Sequence, residues 1–219
     1  MCNEAARRIS LGQIREDWSQ LKIPLVFPEG APNMAPLDSI RITDPTVIIR
    51  AAASDAPGTA PGTAPGTALT AELVTRRWSW PIGGAAGNKP LYNFRSEGRR
   101  FANSASGGRC LIPVDGFYEF TAPTEPGQKR KTKWLFTPAP GGPLAGDYLC
   151  IAGLWRTHPD VGEAFTMLTC DPGPDVAPYH SRQVVLMPRS AWADWIAGHV
   201  PSGDLIAPAA PGSLVVTPV

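Results

Sequence analysis

Cys110-Leu111-Ile112-Pro113-Val114-Asp115-Gly116-Phe117-Tyr118-Glu119-Phe120 reads as an apolar strand, an Asp-Gly turn and a second, aromatic strand. Outward from it the same pattern recurs. Ile40 to Ala53 is β-branched and alternating, and Ala71–Trp80, Lys133–Phe136, Tyr148–Leu154, Phe165–Cys170 and Val184–Met187 read as short strands. Two helices stand apart from them. Ser10 is placed to cap an amphipathic helix to about Leu21, with Leu11, Ile14, Trp18 and Leu21 on one face, and Ser190 to Ala197 follows Pro188. With 25 prolines and 22 glycines punctuating the chain, alternating βαβ units are a poor fit. The expectation is one α+β domain over residues 1–219, strand-rich, with an antiparallel, barrel-like sheet and a few short helices.

The chain of 219 residues is long enough for one well-filled core. Between Ala56 and Thr67 the unit Ala-Pro-Gly-Thr occurs three times, which has no large apolar side chain and reads as a loop insertion at about 55–69. No apolar run approaches the ~18 residues of a membrane span, and the first twenty residues carry Arg7, Arg8, Arg15, Glu4, Glu16 and Asp17 in place of an apolar signal core. The expected location is cytoplasmic, with nucleoid association if the source is bacterial. Cys110, Cys150 and Cys170 sit in apolar runs with no metal-ligand spacing, so free buried thiols are expected, without disulfides or a metal.

Net charge is only +1, but it is unevenly spread. From Arg76 to Lys133 there are eleven basic residues against four acids, so the remainder is net acidic. That asymmetry suits a cationic groove for a polyanion, although Lys129–Lys133 reads equally well as a solvated hairpin tip. Arg76-Arg77-Trp78-Ser79-Trp80 mixes arginines with aromatics, as surfaces that hold phosphates and stack unpaired bases do; the alternative is a tryptophan in the core.

Cys2 follows the initiator position directly. Once Met1 is removed it is a 1,2-aminothiol, with an amine near ~7.7 to 8 and a thiol near ~8.5. Such a pair turns an aldehyde into an imine and closes it to a five-membered thiazolidine. Glu119, between two aromatics, is expected to be partly desolvated with a raised pKa, fit for acid–base work; an edge-strand glutamate facing water is the alternative. Asn93, in Lys89-Pro90-Leu91-Tyr92-Asn93-Phe94-Arg95-Ser96-Glu97, either holds a substrate oxygen or caps a turn, and His180 sits on a loop at a strand entrance.

Taken in order, Met1-Cys2, Asn33-Met34-Ala35-Pro36, Arg77-Trp78-Ser79-Trp80, Asn93-Phe94-Arg95-Ser96-Glu97, Arg109 to Phe120 and His180-Ser181-Arg182 resemble the SOS-response-associated peptidase (SRAP) family. The resemblance implies covalent protection of abasic sites in single-stranded DNA. It makes Cys2 the crosslinking nucleophile, has Asn93 and Glu119 hold and assist it, and has His180 handle protons on the opening deoxyribose. Arg77, Trp78, Arg95 and Arg182 become the DNA-facing residues. The chemistry uses no cofactor, a monomer suffices, and autopeptidase and weak lyase activity accompany capture. The chain departs from the family's usual Met-Cys-Gly-Arg start at Asn3 and Glu4, which puts an acid where a base is common, and the repeats are extra. Two rivals belong to other classes: an N-terminal-nucleophile cysteine amidohydrolase, and a non-catalytic single-stranded DNA-binding module whose binding survives Cys2→Ala.

Overall fold

The computed structural model describes residues 2–52, 68–83, 89–123, 127, 129–144 and 146–219. Its strands in chain order are β1 (Glu4–Arg7), β2 (Leu25–Val26), β3 (Leu37–Arg41), β4 (Pro45–Ala51), β5 (Ala71–Trp78), β6 (Trp80–Ile82), β7 (Lys89–Leu91) and β8 (Asn93–Arg95), followed by β9 (Gly107–Val114), β10 (Gly116–Thr121), β11 (Thr132–Pro138), β12 (Leu149–His158), β13 (Gly162–Cys170), β14 (Gln183–Val184) and β15 (Leu214–Pro218). The α-helices are α1 (Leu11–Gln20), α2 (Trp192–Ala197) and α3 (Ser202–Leu205).

Period-two alternation in the central strands serves two apolar cores at once. Ile48, Cys110, Ile112, Val114, Leu149 and Ile151 point to one, and Val47, Ile49, Leu111, Cys150 and Ala152 to the other. Strands buried on both faces must close or be covered. Here β4, β9, β12 and β13 pair antiparallel in turn, β4 also pairs β5, and β13 returns to β5 through a short parallel seam, Ala164 opposite Arg77 and Phe165 opposite Trp78. The ring is a five-stranded barrel, extended by β2, β8 and β14. One set of side chains packs against the second sheet, in the order β15-β11-β10-β1-β3, through Ala5, Ile40, Phe117 and Phe136; the other meets α1 and α2 through Ile14, Trp18, Trp192 and Trp195. The protein is therefore α+β, strand-rich and dominated by antiparallel pairing.

Ser10 caps α1 as expected, its Oγ accepting from Gln13 N at 3.1 Å, though of the anticipated face only Ile14 and Trp18 are fully buried. Ile40–Ala53 is not one strand. Thr43 adopts φ +82°, its N–H donates to Trp78 O and Asp44 takes Arg41 N, so the chain turns and β3 and β4 enter different sheets. Ala71–Trp80 likewise breaks at Ser79, φ +82°, where β6 leaves to pair with β7. The late helix is shorter than anticipated: α2 begins at Trp192 after a 3-10 turn over Arg189–Ala191.

The Asp115-Gly116 turn transfers the chain from the barrel, on β9, to the second sheet, on β10. Asp115 secures the crossing by accepting the Arg8 and Ile9 N–H groups, and Gly116 is required because a Cβ there would meet Phe136 O at 2.6 Å. The repeats at Ala56–Thr67 lie outside the described residues. Their flanks are pinned, with Ala51 opposite Ala71 and Ala52 N donating to Thr70 O at 2.8 Å.

Candidate active site at the amino-terminal cysteine

β1 is the strand that places Cys2. It lies between β3 and β10, with Glu4 opposite Arg41 and Ala5 opposite Phe117. Continued toward the chain start, that register leads Cys2 past Tyr118 and Glu119. Cys2 is 1% exposed and its Sγ donates to Glu4 O at 3.4 Å. Burial pushes its thiol far above the usual range and the Glu119 charge adds to this, so the resident form at neutral pH is the protonated thiol.

Asn93 reaches the same point from the barrel. Its strand, β8, runs parallel to β13 with Asn93 opposite Met167, and Nδ2 donates to Cys2 O at 2.7 Å. Its Oδ1 is buried and has no hydrogen-bond partner among the described residues. Glu119, on β10, is 2% exposed. Burial raises its pKa to about 7, against the pull of the positive chain terminus and of the Cys2 backbone N–H directed at the carboxylate. The desolvated environment foreseen for Glu119 is present, and the edge-strand alternative is not, since β10 lies inside its sheet between β1 and β11.

His180 arrives on the loop before β14. Its neighbour Tyr179 packs against Trp134 and Phe136, with ring centroids 4.8 and 5.4 Å apart, and Trp134 is the direct cross-strand partner of Glu119. Nδ1 of His180 lies 3.0 Å from the backbone N of Arg182. Half-burial lowers the imidazole pKa, and the positive chain terminus lowers it further.

The four residues expected to face DNA are placed very differently. Arg95 is open, its side chain 69% exposed, and Arg77 is half-buried with Nη1 3.5 Å from Thr43 O. Along β13 their partners, Ala164 and Thr169, flank Met167, the partner of Asn93, at about 10 and 7 Å. Trp78, by contrast, is core: fully buried, stacked on Phe165, its indole N–H donating to Tyr92 O at 2.9 Å. No base can stack on it there. Arg182 is also buried, its guanidinium engaged by Glu97, Asp171 and Thr169 instead of facing solvent.

Glu4 is paired within the protein. Its carboxylate accepts from Ser39 Oγ at 2.6 Å and Lys133 Nζ at 2.8 Å, with Arg41 at 4.0 Å. Burial works to raise its pKa, but Lys133 and Ser39 outweigh it and hold the carboxyl below its ordinary value. Lys133 is thus no solvated tip; its ammonium also sits 3.8 Å over the Tyr118 ring. These partners lie 35 and 129 residues from Glu4 in sequence, beyond any local signal. A cavity of about 760 Å³ is bounded by Ser96–Arg100, Cys170, Asp171 and Asp204, and Cys2 does not line it. The four described cysteines are free and buried. Among the described residues no helix is long and apolar enough to cross a membrane.

Compared with known proteins, residues 1–219 match the model of a single family, SOS response associated peptidase. The chain belongs to the SRAP family. Membership covers its whole length, including the Asn3-Glu4 departure, and the family's name sets it in the context of the SOS response to DNA damage. No curated protein matches it significantly. Among solved structures it is similar to a phage-related protein from Bordetella bronchiseptica, at 18% identity and a TM-score of 0.66, covering 100% of this chain and 94% of that one. It is also similar to a protein from Bacteroides thetaiotaomicron, at 12% identity and a TM-score of 0.63, covering 100% and 92%. At such identities the SRAP chain shares with them its fold.

Proposed function

We propose that this SRAP protein captures abasic sites in single-stranded DNA covalently, through a thiazolidine on Cys2, acting as a monomer. The observation that carries the reading is the meeting of three groups on one atom set. The Cys2 nitrogen points at the buried Glu119 carboxyl, and Asn93 holds the Cys2 carbonyl at 2.7 Å.

Hydrolysis of the Met1–Cys2 bond consumes one water and turns that nitrogen into an α-amine. Glu119 is placed to supply the proton this nitrogen takes as it leaves, which gives the peptidase name a physical footing. The amine adds to the C1′ aldehyde of a ring-opened deoxyribose, and the carbinolamine loses its hydroxyl as water to leave an imine. Sγ then adds to the imine carbon while the thiol proton passes to nitrogen. One water is released per aldehyde captured.

Each neighbour has a task. The buried Glu119 carboxyl, its pKa raised by desolvation, takes a proton from the ammonium and returns it to the departing hydroxyl. Because burial keeps the Cys2 thiol protonated, the amine attacks first and the thiol brings its own proton to the second step. His180 donates to the ring oxygen as the sugar opens. The imine also acidifies the sugar C2′, so weak β-elimination accompanies capture. Arg77 and Arg95, on either side of Asn93, hold phosphates.

The test is a denaturing gel after incubation with an oligonucleotide bearing one abasic site. A retarded band is expected with wild type and none with Cys2→Ala. Equal bands would overturn the reading.

A further inference from the structure

Beside β6, the start of β9 and the end of β12 lies an open groove of about 430 Å³, lined by Trp80, Phe94, Phe101 and Trp155 together with Arg100 and Arg156. No acid is among the described residues that line it. Arg156 holds its guanidinium 5.6 Å from the Trp80 ring centroid, and the neighbouring Arg99 holds its own 4.7 Å from that of Phe94. A ring against one face steadies a guanidinium without consuming its N–H donors. Arg99, Arg100 and Arg156 are exposed, and none forms an ion pair among the described residues.

The strand register sets this groove beside the Cys2 site and apart from it. Asn93 pairs with Met167, in the core that holds Cys2, whereas Phe94 pairs with Leu168, in the other core. Successive residues of a β-strand face opposite ways, so Phe94 lies on the far side of β8 from Cys2. Among the described strands β8 pairs with β13 alone, which leaves its outer edge for a nucleic-acid chain to cross. On that far side Arg156, Ala164 and Arg77 form one row over β12, β13 and β5, with Arg156 two strand spacings, about 10 Å, from Arg77. The groove thus extends the cationic line that Arg77 begins.

We propose that this groove binds the single-stranded DNA flanking the abasic nucleotide, with Arg100 and Arg156 on its phosphates and unpaired bases against the half-buried Phe94 and Phe101. The proposal rests on the abasic-site reading above. Uncompensated arginines over aromatic rings match a polyanion that carries planar rings. An acidic peptide would satisfy the arginines and leave the rings bare, and a duplex keeps its base faces stacked inward.

The experiment has two arms on the full chain. The first measures binding of an undamaged single strand across salt. Arg100→Gln and Arg156→Gln are each expected to lower the salt slope by roughly 0.7, the loss of one phosphate contact, and Arg156→Lys, which keeps the charge, to restore it. Ser106→Glu, at an exposed position on the groove, is expected to weaken binding by an amount that fades as salt rises. The second arm measures crosslinking to a single-abasic oligonucleotide with long flanks. There the two glutamine variants are expected to raise the half-saturating strand concentration and leave the rate at saturation unchanged, because the groove binds and does not react. An unchanged slope in both variants, a slope that Arg156→Lys fails to restore, or an unchanged half-saturating concentration overturns the proposal. If wild type forms no adduct, it is the abasic-site reading that fails, and the salt slopes still decide whether the groove binds single strand.

Discussion

Glu4 and Glu119 are buried carboxylates on paired strands of one sheet, 6% and 2% exposed, yet their protons are held in opposite ways. Glu4 sits on the face with Ser39, Arg41 and Lys133, and an ammonium at 2.8 Å keeps it ionised. Glu119 points the other way, with Trp134 opposite it and the Cys2 N–H directed at its carboxylate, and burial lifts it to about 7. Burial by itself therefore says little about a carboxylate's role. A cation at hydrogen-bond distance makes one of these a structural anchor, and a backbone nitrogen in a dry setting makes the other an acid–base group.

The sharpest way to break that contrast is to neutralise each acid in turn. Glu119→Gln is expected to slow crosslinking by about 10² to 10⁴, whereas Glu4→Gln, which retains an acceptor for Ser39, changes it by less than about threefold. Single-turnover rates on an abasic oligonucleotide decide it, and similar losses in both would erase the distinction. Trp78 extends the comparison to a ring read as a contact but placed in the core. Trp78→Ala is expected to cost about 3–5 kcal/mol of stability by urea melts, the cavity penalty of a large buried aromatic.

The two acids also predict opposite pH slopes. Glu119 has a raised pKa in the folded chain, so its contribution is fully present below about 4.5 and is lost as pH rises through about 7, by at most about 3 kcal/mol. Glu4, with a lowered pKa, contributes above its ordinary value and loses that contribution as pH falls below it. Melting curves of Glu119→Gln against pH should lack the decline between 4.5 and 7, and those of Glu4→Gln the acid-side loss. Lys133→Met comes next, at about 2 kcal/mol, less than a fully buried pair because the lysine is partly exposed. Deleting two Ala-Pro-Gly-Thr repeats is the smallest. With Ala51 and Ala71 paired at the flanks, both melting temperature and crosslinking rate should stay within error.

Some of this was legible residue by residue. The strands around Cys110–Phe120 announce themselves because alternation and apolar runs are local properties, and the Ser10 cap is written in four residues. β1 was not legible, since Glu4-Ala5-Ala6-Arg7 has no β-branched side chain and is a strand only because β3 and β10 pair with it. The breaks at Thr43 and Ser79 carry no local signal for a similar reason: neither is glycine, and long-range partners hold both at positive φ. Arginine beside tryptophan has the same composition in a nucleic-acid groove and in a packed wall, and tertiary packing put Trp78 in the wall.

From the sequence alone follow the chemistry that is available and the class of fold, because a 1,2-aminothiol, a carboxyl between aromatics and period-two alternation are properties of neighbouring residues. Only the tertiary structure decided which groups meet. Asn93 reaches Cys2 across 91 residues, Lys133 neutralises Glu4 across 129, and Glu97 claims Arg182 across 85. Contacts at such separations depend on how the barrel and the second sheet close on each other, and no local pattern encodes that closure.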